Sequence, residues 1–427
     1  MPHIKIWDSL MGSGKTTMAI KEIEQSPELR RIFLVKYLDE AERIIRACPR
    51  ARFYQPDASK YGSKQAHFHE LLRDGKNIVT THQLFQDLSI TKNEHKLISE
   101  YGYKLYMDET AEVIEPLNIS SHDRKEIMER YIEIGNDRLV KWIDTDYTGN
   151  HDSIKRQVEN KAIYLYRDKT FLWLFPIELL TSFREITVMT FLFEGSHMRA
   201  YLDLYGLSYE YWHIQDHKLV KGKQDLRPEM PRIRSLIDIY DGNLNDIGDH
   251  KNALSSTWHK NNKQKVRTLE LNARNYLEKK CDAKVEEAQW TTFKSAQRRM
   301  DKSPAICGKY FVSSYVPLNA VSTNDHDKRK HLAYLVNVFE NPSITMWFHN
   351  QGIILNEDAY ALSQMLQWIL RSAIRRGESI SIYVPSRRMR QLLIDFLEQK
   401  LLDIPPRVAD NAGPREKPFP QTPKKVS

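Results

Sequence analysis

Nine consecutive residues, Ser9-Leu10-Met11-Gly12-Ser13-Gly14-Lys15-Thr16-Thr17, constrain this chain more than any other stretch. His3 to Trp7 before them reads as a short buried strand, and Met18 to Glu24 after them as the start of a helix. Strand, glycine-rich loop and helix in that order are what a phosphate-cradling loop requires. The small residues let successive backbone N–H groups curl around a β-phosphate, Lys15 can reach the β- and γ-phosphates, and the Thr16 hydroxyl can hold Mg²⁺. The helix N-terminus adds unpaired N–H groups and a dipole that favours negative charge. The expected ATP-binding set is therefore Ser9, Gly12, Ser13, Gly14, Lys15, Thr16 and Thr17, with Mg²⁺ on Thr16. A chance glycine-rich turn explains the loop but not its agreement with strand, Lys-Thr and helix.

Strand and helix signals continue to alternate downstream. Arg31 to Lys36 is β-branched and strand-like, Leu38–Ala47 is helical in pattern, and Asn77 to Thr81 is another strand ending in Thr80-Thr81-His82. Leu105 to Met107 runs directly into Asp108-Glu109-Thr110. Such alternation predicts an α/β fold with a parallel sheet covered on both faces. Its active edge is where the strands' carboxyl ends emerge. The glycine-rich loop, Thr80-Thr81 and Asp108-Glu109 all fall at such ends. Asp108 is expected to bind Mg²⁺ through its water shell, and Glu109 to orient and activate an attacking water as catalytic base. Alone, Asp-Glu at a strand end is an ordinary solvated turn; downstream of this loop it acquires a role.

Glu357 to Gly377 reads as one helix, with Leu362, Met365, Leu366, Ile369, Leu370 and Ala373 forming a buried stripe. Gln367, Arg371 and Arg375 then fall on the opposite face at i, i+4 and i+8. The bland reading is a solvated basic face. The functional reading is a catalytic Gln and two Arg that clamp a γ-phosphate, one as an arginine finger.

With these three constellations the chain resembles the superfamily 2 helicases, and among them phage-encoded DNA helicases of the DEAD-like type. Ser9–Thr17 looks like motif I, in a small-x-x-Gly-x-Gly-Lys-Thr form common among helicase-type NTPases. Val79-Thr80-Thr81-His82 looks like motif Ib, Met107–Thr110 like motif II, Thr187-Val188-Met189-Thr190 like motif III, and Gln367–Arg375 like motif VI. Trp290–Lys294 and Pro317-Leu318-Asn319-Ala320 look like landmarks of a second motor domain. In motif VI the chain departs from the pattern, with Leu370 where glycine is usual and the second Arg four rather than three residues after Arg371. That favours Arg371 over Arg375 as the finger.

The resemblance implies two RecA-like parallel-sheet domains, over about 1–220 and 230–400, with a mainly helical insertion at about 111–169 in the first. It implies an ATP-dependent DNA helicase or translocase of phage DNA replication, with DNA and replication proteins as partners. Thr80 and Thr81, and Thr291, Thr292 and Lys294 beside the aromatic Trp290, are the expected nucleic-acid contacts. A terminase-type packaging ATPase is the alternative, though it requires a carboxylate-rich nuclease domain; Asp325-His326-Asp327-Lys328 lacks nuclease spacing and reads as a solvated loop. A non-unwinding loader or regulatory ATPase is another.

Composition agrees. The chain has 427 residues, long enough for two domains, and a formal net charge of +8, which favours a polyanionic partner. No apolar run approaches the ~20 residues of a membrane span, so no membrane is expected as partner. A strand and loop at the very start leave no room for a signal peptide. Cys48, Cys281 and Cys307 have no metal-ligand spacing and suggest no disulfide framework, which points to the cytoplasm, that of the host for a phage protein. From Ile404 the chain is rich in proline and ends near Lys424-Lys425, which reads as a disordered tail.

Overall fold

Alternating apolar residues bury both faces of the strands that flank the glycine-rich loop. Ile4 and Ile6 of β1 (His3–Asp8) and Ile32 and Leu34 of β2 (Arg31–Val35) belong to one core cluster. Trp7, Phe33 and Val35 point into another on the opposite face, with Ala19 and Ile23 of helix Lys15–Gln25. A strand buried on both faces is the signature of a parallel sheet between helix layers. The computed structural model describes residues 1–59, 61–300, 311–318 and 326–401. It shows a mixed α/β chain that divides into two compact units.

The first unit holds an eight-stranded sheet. Its remaining strands are β3 (Phe53–Tyr54), β4 (Asn77–Thr81), β5 (Lys104–Asp108), β11 (Glu185–Thr190), β12 (Tyr209–Gln215) and β13 (Lys218–Lys221). The order is β13-β12-β1-β11-β5-β2-β4-β3. Every pairing is parallel except the edge hairpin β12–β13. One strand, β11, therefore separates the loop-bearing β1 from the Asp-Glu strand β5. The register aligns Asp8 with Thr190 and Met189 with Asp108, so the three strand ends finish level.

Between β5 and β11 lies a mixed segment, which corrects the expectation of a mainly helical insertion. It contains β6 (Ile114–Pro116), β9 (Ile163–Tyr166) and β10 (Thr170–Leu174) in a small antiparallel sheet, and β7 (Ile132–Ile134) paired with β8 (Val140–Trp142). Helices Ser121–Arg130 and Asp152–Glu159 complete it. Strands of three residues with a charged residue in the middle, as in Ile-Glu-Ile and Val-Lys-Trp, are too short for a period of two to stand out against surrounding helical spacing.

The second unit contains a four-stranded parallel sheet, β14-β17-β16-β15, from β14 (Ile237–Ile239), β15 (Ala288–Thr291), β16 (His331–Tyr334) and β17 (Ile380–Tyr383). Leu269, Ala273, Leu277 and Trp290 lie in its core. The units are not two continuous stretches. Unit one comprises Met1–Gln224 and Asn341–Leu355; unit two comprises Asp225–Glu340 and resumes at Asn356. Helix Pro342–Asn350, expected in the second domain, instead packs Ile344, Trp347 and Phe348 into the core that holds Ile114 and Leu172. The Pro-rich tail, Cys307, Asn319-Ala320 and Asp325 lie outside the described residues. No described helix is long and apolar enough to cross a membrane.

Candidate nucleotide site

The start of the loop after β1 is anchored to the sheet by backbone and side-chain hydrogen bonds. Ser9 N donates to Thr190 O at 3.1 Å, and Ser9 Oγ accepts from Ile214 N at 2.8 Å. Leu10 N donates to the side-chain carbonyl of Gln224 at 3.1 Å. Gly12 and Gly14 then take φ of +79° and +88°. A Cβ at either would meet nothing within 4 Å, so it is the left-handed backbone and not crowding that requires glycine. Gly14 caps helix Lys15–Gln25, whose first N–H groups consequently face the loop.

Lys15 is only 9% exposed. Its Nζ donates to Ser9 O at 2.6 Å and to Leu10 O at 3.1 Å. Burial lowers its pKa, opposed by the charges of Glu109, Asp8 and Asp108. Thr16 Oγ1 donates to Asp108 Oδ2 at 3.0 Å, joining helix and Asp-Glu strand. Burial, then the neighbouring charges of Glu109 and Glu40, push the Asp108 carboxyl up to about 7, against the Thr16 hydrogen bond and Lys15.

Glu109 follows in an unusual backbone state, with φ of +70°. Its N–H donates to Met189 O at 2.9 Å, which ties that conformation to β11. Left-handed φ at a residue other than glycine stores strain of order 1–2 kcal/mol, and such strain gathers at functional sites. Thr190 Oγ1 donates to Glu109 Oε2 at 3.5 Å. His82 Nε2 donates to Asp108 O at 2.9 Å, and burial pushes its pKa down to about 4, leaving a neutral ring.

Sequence reasoning missed Asp8. It ends β1 and accepts from Leu192 N at 2.9 Å and Phe193 N at 3.1 Å, while burial raises its pKa to about 6. The signal was available, since Asp8 directly precedes the loop at a strand end. Gln224 carried none, because 214 residues separate it from the Leu10 N–H it binds.

The structure thus brings together Ser9, Gly12, Ser13, Gly14, Lys15, Thr16, Thr17, Asp108 and Glu109 on one sheet edge. The other expected residues are placed differently. Helix Glu357–Ile369 stops eight residues early: Ser372 N and Oγ both donate to Ile369 O, and a separate 3₁₀ turn spans Ala373–Arg376. Only Gln367 is on the helix, so the spacing that put Arg371 and Arg375 on its polar face does not apply. Arg371 is buried, 7% exposed, and Arg375 is exposed on the 3₁₀ turn. Three of the expected nucleic-acid threonines, Thr80, Thr291 and Thr292, are buried, and the hydroxyl of each has no hydrogen-bond partner among the described residues. Thr81 Oγ1 accepts from Leu84 N at 3.2 Å and caps a short helix. Trp290 is a core residue whose Nε1 donates to Phe311 O at 2.7 Å; Lys294 is exposed.

The fold and site define an α/β protein of two parallel-sheet units with a glycine-rich loop at a strand–helix junction of the first. Residues 231–397 match the model of the YonV C-terminal Rossmann-like domain, and 114–173 that of the YonV middle domain. The chain is similar to the SPbeta prophage-derived uncharacterized protein YonV of Bacillus subtilis (strain 168), at 36% identity over 417 residues. That alignment covers 94% of this chain and all of the relative. The chain belongs to the YonV family.

Proposed function

We propose that the first unit binds ATP with Mg²⁺ and hydrolyses it, and that the protein uses this turnover to move on or unwind DNA. The observation that carries the reading is the Lys15–Thr16–Asp108–Glu109 arrangement at the carboxyl edge of the parallel sheet. The residues suit the ligand. Ser13 Oγ is buried with no hydrogen-bond partner among the described residues. Three carboxyls, Asp8, Asp108 and Glu109, surround one ammonium, and two of them are pushed towards neutrality. A divalent cation relieves that excess of negative charge.

In this reading the loop N–H groups and Lys15 hold phosphate oxygens. Lys15 exchanges the carbonyls of Ser9 and Leu10 for them. Thr16 and Asp108 hold the Mg²⁺, whose chemistry is to neutralise charge developing on the phosphates. Glu109 takes the proton of the attacking water, with Thr190 steadying its carboxylate. The motor reading rests on the motif order, the net charge of +8 and the prophage origin of the relative.

The test is ATP turnover with and without single-stranded DNA, beside fork unwinding. Lys15→Ala should abolish turnover. Glu109→Gln should keep ATP binding and lose at least ~10²-fold in hydrolysis. Normal hydrolysis by Lys15→Ala defeats the phosphate assignment; turnover indifferent to DNA defeats the motor and favours a loader or regulatory ATPase.

A further inference from the structure

We infer that Asp123, Glu126 and His151 of the middle segment form a binding site for one borderline divalent transition metal, of the Zn²⁺ class. Each offers one ligand atom, and all three atoms lie within 4.8 Å of one another. Asp123 and Glu126 are three apart on helix Ser121–Arg130 and so share a face. His151 caps the start of helix Asp152–Glu159.

The imidazole is the second and independent indication. His151 is 8% exposed, and its ring makes no hydrogen bond among the described residues. Its Nε2 faces Glu126 Oε2 at 3.6 Å, beyond hydrogen-bond length. Where this chain does make a His–carboxylate hydrogen bond, His69 Nδ1 to Glu94 Oε1, the distance is 2.7 Å. Ligand bonds of about 2.0–2.1 Å in a tetrahedral shell put neighbouring donors about 3.4 Å apart. The His151–Glu126 spacing suits two ligands of one ion better than a direct pair.

The surroundings hold these side chains in place. Glu126 Oε1 accepts from the Tyr131 hydroxyl at 3.4 Å, leaving Oε2 towards His151. His151 N donates to the Tyr147 hydroxyl at 3.1 Å, and the Tyr147 ring stacks on the imidazole at 6.1 Å. Lys155 Nζ donates to Thr145 O and Tyr147 O, pinning the loop that delivers His151. Partners behind the ligands that fix their orientation are characteristic of metal sites. One nitrogen and two carboxylate oxygens select Zn²⁺, Co²⁺ or Mn²⁺ over Mg²⁺, which prefers oxygen alone.

The experiment uses the full chain, stripped with a chelator and titrated with Co²⁺, then with Zn²⁺ in competition. We expect one equivalent of Co²⁺ to give a visible ligand-field band that Zn²⁺ displaces. His151→Ala and the milder Glu126→Gln should each weaken binding by at least ~10-fold, while Asp108→Asn, which removes the carboxylate proposed to hold Mg²⁺ at the glycine-rich loop, leaves Co²⁺ binding unchanged and so separates the two sites. Absence of the band in the parent chain, or equal Co²⁺ binding by parent and Glu126→Gln, overturns the assignment.

Discussion

Glu109 combines the proposed water-activating carboxylate with a backbone that glycine would adopt freely. The two properties can be separated. Glu109→Gly and Glu109→Gln should both lose hydrolysis, yet only the first relieves the left-handed strain. Glycine also loosens the unfolded chain, which takes back about 0.5–1 kcal/mol, so the gain is modest. Glu109→Gly is expected to be at least as stable as Glu109→Gln in urea unfolding. A glycine variant clearly less stable than the glutamine one would show that the +70° conformation carries no strain. Lys15 does more than face a ligand. Being buried and bonded to two carbonyls, it also contributes to loop order, so variants there need a melting curve beside the activity assay.

Among the elements, three neighbouring strands are joined by charge at the end opposite the site. Glu185 of β11 accepts from Lys104 of β5 and Lys5 of β1, each at 3.1 Å. Burial alone would raise its pKa, but the two lysines outweigh it and hold the carboxyl below its usual 4.5. A depressed carboxyl contributes stability that is present above 4.5 and is lost as pH falls through the folded value. The stability gap between parent and Glu185→Gln should therefore narrow on acidification below pH 4.5; a gap independent of pH contradicts the pairing. The segment that follows helix Glu357–Ile369 gives a second test. Burial of Arg371 means that Arg371→Ala should lower stability by about 1–3 kcal/mol through unsatisfied partners. Assayed well below its melting point, it should also lose roughly 10³-fold in turnover if it serves the γ-phosphate; wild-type turnover would leave it a structural residue. The strands of the large sheet and the loop were legible because apolar alternation and glycine spacing are local signals. The end of this helix was not, because Ser372 turns both its backbone N–H and its hydroxyl back on Ile369 O, and nothing in the local spacing announces that turn. Nor was the burial of Thr291 and Thr292, since a threonine at a strand end looks the same in sequence whether covered or open.

At the scale of the whole chain, the charge of +8 predicts how a polyanion is held. Binding to single-stranded DNA should weaken steeply with salt as phosphate contacts release counterions, with little preference for sequence. A flat salt response in a filter or anisotropy titration contradicts the motor reading. Helix Pro342–Asn350 bears on a more practical matter. A fragment ending at Gln224 would carry every residue of the glycine-rich loop, yet would lack Ile344, Trp347 and Phe348 from its own interior. Such a truncation leaves an apolar hollow open to water, and the fragment should come out of expression as aggregate. Grafting Asn341–Leu355 back through a linker is the remedy this chain's threading recommends to anyone who wants the first unit alone.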